Sequence, residues 1–165
     1  MSVAQLSITV TPDTESVATV RHYVEAARLT LDARVDPDVV AVLTSELVTN
    51  AVALGAGEVT VTVRCADGGR LRVEVQDYGY GMPEVAHPAP WDPGGGRGLM
   101  IVEELSASWG VQQFLPGKIV WFELGPGDGQ LAGPVDGRVD GRVDGRVDGQ
   151  VQGKGDRKGP RAALA

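Results

Sequence analysis

Apolar and polar positions alternate with period two in several stretches and recur with helical spacing between them. Leu6-Ser7-Ile8-Thr9-Val10 alternates and predicts a strand. Pro12-Asp13-Thr14-Glu15 is a helix start with acids suited to the first turn, and Val17, Val20, Val24 and Ala27 mark one helical face up to about Leu29. Asp36-Pro37-Asp38 is a second start signal. Residues 38–54 contain neither Gly nor Pro, and Gly55 and Gly57 stop that segment, so one helix is predicted there. Glu58 to Arg64 alternates with Val59, Val61 and Val63 on one side. Asp67-Gly68-Gly69 is a hairpin signal, and Leu71, Val73 and Val75 line one face of the next strand. Residues 79–96 carry four prolines and a triple glycine and read as a long loop, of the kind that often serves as a lid. A helix over about Arg97 to Leu105 is followed by strands near Ser108–Phe114 and Lys118–Leu124, with a turn at Pro116-Gly117.

After Gly125 the pattern changes. Val-Asp-Gly-Arg occurs at 135–138, 139–142 and 143–146, and Val147-Asp148-Gly149-Gln150 is a degenerate fourth copy. One apolar residue in four, with a glycine in every unit, buries too little surface to offset chain entropy. The organisation expected is a domain over residues 1–125 and a disordered low-complexity tail over 126–165. The nonapeptide pattern of calcium-binding solenoids is absent from the tail.

Three places interrupt the apolar pattern with polar chemistry. Val39, Leu43, Glu46 and Asn50 are spaced 4, 3 and 4 and share one stripe of the helix over 38–54, beside a second stripe of Val40, Leu47, Ala51 and Leu54. Glu46 and Asn50 are thus expected on an otherwise buried face, where an unpaired carboxylate is costly. A structural salt bridge or cap would satisfy it. So would a ligand site, with Asn50 as an oxygen ligand to a hard cation such as Mg²⁺. Asp77 has the parity of Leu71, Val73 and Val75 and points to their buried side at the strand's end. Gly79 and Gly81 beside it let a flat ligand approach the backbone, although Asp and Gly are also plain turn residues. Gly94-Gly95-Gly96-Arg97-Gly98 enters the apolar segment Leu99-Met100-Ile101-Val102, where free backbone N–H groups attract phosphate, or where a flexible loop simply joins a helix. It is neither a P-loop, since the Gly-Lys-Ser/Thr ending is missing, nor a glycine fingerprint following a strand.

Charge and cysteine content narrow the field. Residues 1–125 hold 8 Lys+Arg against 16 Asp+Glu, and residues 126–165 hold 7 against 6. An acidic domain argues against direct nucleic-acid binding, which needs phosphate-neutralising cations. The single Cys65 makes no internal disulfide, which fits a reducing compartment. No leader pattern opens the sequence and no stretch approaches a membrane span, so no membrane role and a cytoplasmic location are expected. His22, His87 and Cys65 lack metal-site spacing, and no Gly-x-Ser-x-Gly elbow accompanies Ser45.

Taken in order, the three polar blocks resemble the ATPase family shared by DNA gyrase, Hsp90, histidine kinases and MutL. More narrowly, they resemble the bacterial anti-sigma-factor serine kinases and the short actinobacterial ATP-binding proteins. Ser45 to Val52 is similar to that group's N box, Asp77-Tyr78-Gly79-Tyr80-Gly81 to its first glycine box, and Gly96 to Val102 to its second. Trp109-Gly110-Val111 and Pro116-Gly117-Lys118 through Leu124 also match, so the resemblance covers about residues 6–124. It implies an α+β, two-layer α/β sandwich of the Bergerat type: a mixed, mostly antiparallel sheet with helices on one face. It further implies ATP with Mg²⁺ as cofactors. Glu46 would be the general base and Asn50 the Mg²⁺ ligand. Asp77 would read the adenine amino group, Gly79 and Gly81 would make room for the ring, and Gly96, Arg97, Gly98 and Leu99 would cradle phosphate beneath a lid over residues 82–95. The implied activity is serine phosphorylation of a STAS-domain anti-anti-sigma partner, with a sigma factor as the other partner. A nonenzymatic partner switch is the alternative, and a homodimer is admitted because relatives commonly form one. Ala53 and Leu54 stand where relatives often carry a basic residue and a histidine, and Ile119 where they often carry a Thr expected near the adenine.

Overall fold

The computed structural model describes residues 4–55, 57–66, 68–79, 83, 97–128 and 151–152. Strand β1 (Ala4–Val10) is followed by helices α1 (Thr14–Thr30) and α2 (Pro37–Leu54), strands β2 (Val59–Ala66) and β3 (Arg70–Asp77), helix α3 (Gly98–Leu105), strands β4 (Ser108–Phe114) and β5 (Gly117–Leu124), and a two-residue strand β6 (Val151–Gln152). The sheet order is β1-β2-β3-β5-β4-β6, and every pairing among the described residues is antiparallel. The helices form the second layer, so the α+β two-layer sandwich expected from the sequence is the fold observed.

Both long helices begin where the sequence signals it. Asp13 caps α1 by accepting from the Ser16 backbone N–H at 2.8 Å and from the Ser16 hydroxyl at 2.9 Å. These bonds and one from Thr11 hold the Asp13 carboxyl below its ordinary value, the Thr11 hydroxyl contributing most. Asp36 caps α2 by accepting from the Asp38 and Val39 N–H groups, with Pro37 in the first helical position. Gly55 ends α2 with φ of 60°, a left-handed conformation that glycine adopts without strain.

The core lies between the helices and one face of the sheet. Val59, Val61 and Val63 of β2, Leu71, Val73 and Val75 of β3, and Val120, Phe122 and Leu124 of β5 point to this inner face, against Val20 and Val24 of α1, Val40, Leu43 and Val48 of α2, and Val102 of α3. On length and hydropathy α2 could cross a membrane, but here its apolar residues pack against α1, α3 and the sheet as a core helix. Along α1 the buried positions are Ser16, Val20, Val24 and Ala27, with Val17 only partly covered.

The outer face of the sheet carries its own polar lattice. Thr9 pairs with Thr60 and Ser7 with Thr62 through hydroxyls at 2.9 and 3.0 Å. Arg72 bonds Glu74 and Glu123 and stacks 3.8 Å from the centroid of the Trp121 ring. Trp121 in turn lies over Gly110, where a Cβ would stand 2.7 Å from the indole Cζ2, so only glycine fits opposite it. Of the tail, only residues 126–128 and Val151–Gln152 are described, and Val151–Gln152 pairs with Gly110 and Val111 of β4.

Candidate functional site

The polar blocks gather at one end of the sheet, where α2 finishes, β3 ends and α3 starts. Strand register sets the first part. Asp77 is the last residue of β3, and its inward parity leaves it only 3% exposed, as expected. Its cross-strand partner is Lys118 of β5, also 3% exposed. The Lys118 ammonium donates to Asp77 Oδ1 at 2.7 Å and to the Gly79 carbonyl at 3.0 Å. The Gly79 N–H donates to the same Oδ1 at 2.8 Å. Asp77 therefore holds the turn that follows it, and Lys118 neutralises Asp77 inside the protein. Leu54, the last residue of α2, closes over this turn. A Cβ on Gly79 would lie 2.7 Å from Leu54 Cβ and Cδ1, so the missing side chain is what lets the two segments meet. A cavity of about 490 Å³ is lined by Gly79, Lys118 and the β4–β5 turn, beside Lys118 rather than Asp77.

Helix packing sets the second part. The start of α3 lies directly on α2: a Cβ on Gly98 would stand 2.6 Å from Glu46 Oε2 and 3.5 Å from Asn50 Nδ2. Glu46, Asn50 and Gly98 are thus brought together as the sequence order implies. Their burial differs from the expectation. Glu46 is half-buried and Asn50 exposed, whereas Val39 and Leu43 on the same stripe are buried. The last turns of α2 remain packed through Leu47, Val48 and Ala51, so the helix stays in the core while the face carrying Glu46 and Asn50 turns toward the start of α3 and the rim. Leu99 sends its side chain into the core at 4% exposure and has only its backbone to offer a ligand. Arg97 precedes α3 on the exposed side. Gly81, Gly96 and the expected lid over 82–95, Pro83 excepted, lie outside the described residues.

Two corrections concern β5. Ile119, expected near the base, has the opposite parity: it pairs with Gln76 and Gln112 on the outer face and cannot approach Asp77. The residue that faces Asp77 is Lys118, which the sequence reading did not select. Its signal was present, since Lys118 shares the parity of Val120, Phe122 and Leu124 and so is a charged residue in an inward register.

The sequence model of the histidine kinase-, DNA gyrase B-, and HSP90-like ATPases matches residues 35–129, which include α2, the Asp77 turn, α3 and β5. The chain belongs to that family. No curated protein matches it. Among solved structures, the crystal structure of the RsbU and RsbW domains of Rv1364c from Mycobacterium tuberculosis aligns with a TM-score of 0.53 at 22% identity, over 74% of this chain. This chain spans 32% of that one, and the likeness is one of fold.

The residues present suit the nucleotide that this ATPase family implies. Asp77 takes no hydrogen bond on Oδ2 among the described residues, which leaves an acceptor beside a glycine turn. Glu46 Oε2 and the Asn50 side-chain amide lie at the start of α3. No cluster of three His, Cys, Asp or Glu occurs among the described residues.

Proposed function

We propose that the domain binds Mg-ATP and acts in the cytoplasm as an anti-sigma regulator that phosphorylates a serine on a STAS-domain anti-anti-sigma partner. The observation that carries this reading is that one helix, α2, sets Leu54 on the glycine turn of the buried Asp77 and a carboxylate–amide pair under the start of α3, in a chain of an ATPase family. The RsbW domain in the structure that this chain resembles in fold supports a regulator that works by binding another protein. In this reading Asp77 Oδ2 accepts from the adenine amino group and Leu54 covers the ring's approach. The α3 backbone receives phosphate, with Gly96, Arg97 and Gly98 at its entrance. Asn50 holds Mg²⁺, which neutralises charge on the triphosphate. Glu46 takes the proton from the attacking serine hydroxyl. A homodimer and a sigma factor as second partner belong to the same proposal.

The nonenzymatic switch is favoured by one observation: Asp77 already has an internal cation in Lys118, so its charge is balanced without a ligand. Two measurements test the choice. Mg-ATP should raise the melting temperature of the full chain and support labelling of a STAS-domain protein. Glu46→Ala should abolish labelling while partner binding persists. Labelling that survives in Glu46→Ala refutes the assigned base, and absence of both thermal shift and labelling in the wild type refutes the kinase.

A further inference from the structure

A lysine buried as completely as an interior valine is rare, and the bonds of Lys118 are incomplete. An ammonium has three N–H donors. Two go to Asp77 Oδ1 and the Gly79 carbonyl, and the third has no acceptor among the described residues. Asp77 shows the complementary deficit. Oδ1 accepts twice, from Lys118 and from the Gly79 N–H, while Oδ2 accepts from nothing described. The carboxylate is therefore reduced to one available acceptor, and a donor stands next to it. Both groups come from paired strands at one register position, so their order in space is fixed by the sheet rather than by a loop.

We infer that Lys118 is a base-specificity residue: its third N–H donates to purine N1 while Asp77 Oδ2 accepts from the 6-amino group. Adenine presents a donor at position 6 and an acceptor at N1, which meets this acceptor–donor pair in order. Guanine and hypoxanthine present an acceptor at position 6 and a donor at N1, which meets it in reverse. A free carboxylate would lack this polarity and could accept from either edge. Lys118 thus converts Asp77 from a general N–H acceptor into a reader of the 6-amino purine edge. The same contact gives the ammonium a third partner in place of none, so the cost of its burial falls when adenine binds.

The inference rests on the nucleotide reading above, and the test separates the two. Dissociation constants for ATP, 1-deaza-ATP and inosine triphosphate are measured with Mg²⁺ on the full chain, on Lys118→Met and on Lys118→Thr. The wild type should bind 1-deaza-ATP, which has carbon in place of N1, about tenfold or more weakly than ATP, and inosine triphosphate more weakly still. In Lys118→Met, or in Lys118→Thr if the former does not fold, ATP and 1-deaza-ATP should bind alike and the preference over inosine triphosphate should narrow. Lys118 acting only as a brace for the Asp77 turn would lower all affinities together and leave the ratios unchanged. A wild type that binds ATP and 1-deaza-ATP equally overturns the role of Lys118 and leaves nucleotide binding intact. A wild type that binds none of the three overturns both.

Discussion

The two halves of the site are built by different means. The Asp77–Lys118 half is closed: both residues are 3% exposed, and strand pairing places them opposite each other. The Glu46–Asn50–Gly98 half is open: Asn50 is exposed, and its neighbour comes from a separate helix laid across α2. The closed half is part of the folding core and the open half is not. Stability and binding should therefore be inseparable at one end and separable at the other.

The largest effect expected is from Asp77→Ala, which strands the Lys118 ammonium. It should lower unfolding free energy by about 3–5 kcal/mol in urea titrations and abolish nucleotide binding. Asn50→Ala should change stability by no more than ~0.5 kcal/mol yet weaken Mg-ATP binding tenfold or more by calorimetry. Equal destabilisation by the two would erase the distinction. Next in size is the close contact at each end. Gly98→Ala should push Glu46 aside and cost about 1–3 kcal/mol, with loss of any turnover. Gly79→Ala should cost a similar amount, and adding Leu54→Ala should recover part of it, a coupling of about 0.5–3 kcal/mol in a double-mutant cycle.

Smaller effects mark the background. The Asp13 carboxyl titrates below its ordinary value of 3.8 in the folded protein, so its contribution is present above that value and lost as pH falls through the lowered one. Asp13→Asn should flatten the acid limb of the stability–pH curve without altering nucleotide affinity at neutral pH. Truncation after Gly125 should leave the melting temperature unchanged. A fall of several degrees would show that the tail strand on β4 contributes to the domain.

Most elements were legible in the sequence because their signals are local. Asp13, Asp36 and Gly55 mark helix ends by chemistry that needs no partner from elsewhere, and the alternation in β2 and β3 gives their inner faces directly. What was not legible depends on distance. The pairing of β3 with β5 skips β4 in sequence, so the opposition of Asp77 and Lys118 is invisible to periodicity, and Ile119 was mistaken for the residue near the base. Helical spacing placed Glu46 and Asn50 on the stripe of Val39 and Leu43. It carried no information on which face of the last turns the neighbouring elements cover, so the exposure of Asn50 was missed while Val48 and Ala51 beside it are buried.

The opposition of Asp77 and Lys118 has a practical consequence. A shift of one residue in the pairing of β3 with β5 would turn one of the two to the far side of the sheet, while leaving the amount of secondary structure almost unchanged. Size, helicity and solubility would not reveal such a slip, but selective purine capture would. Under the proposed purine reading, an immobilised nucleotide column becomes a proofreading step for this chain, retaining molecules whose central strands are correctly aligned and passing those that are only compact.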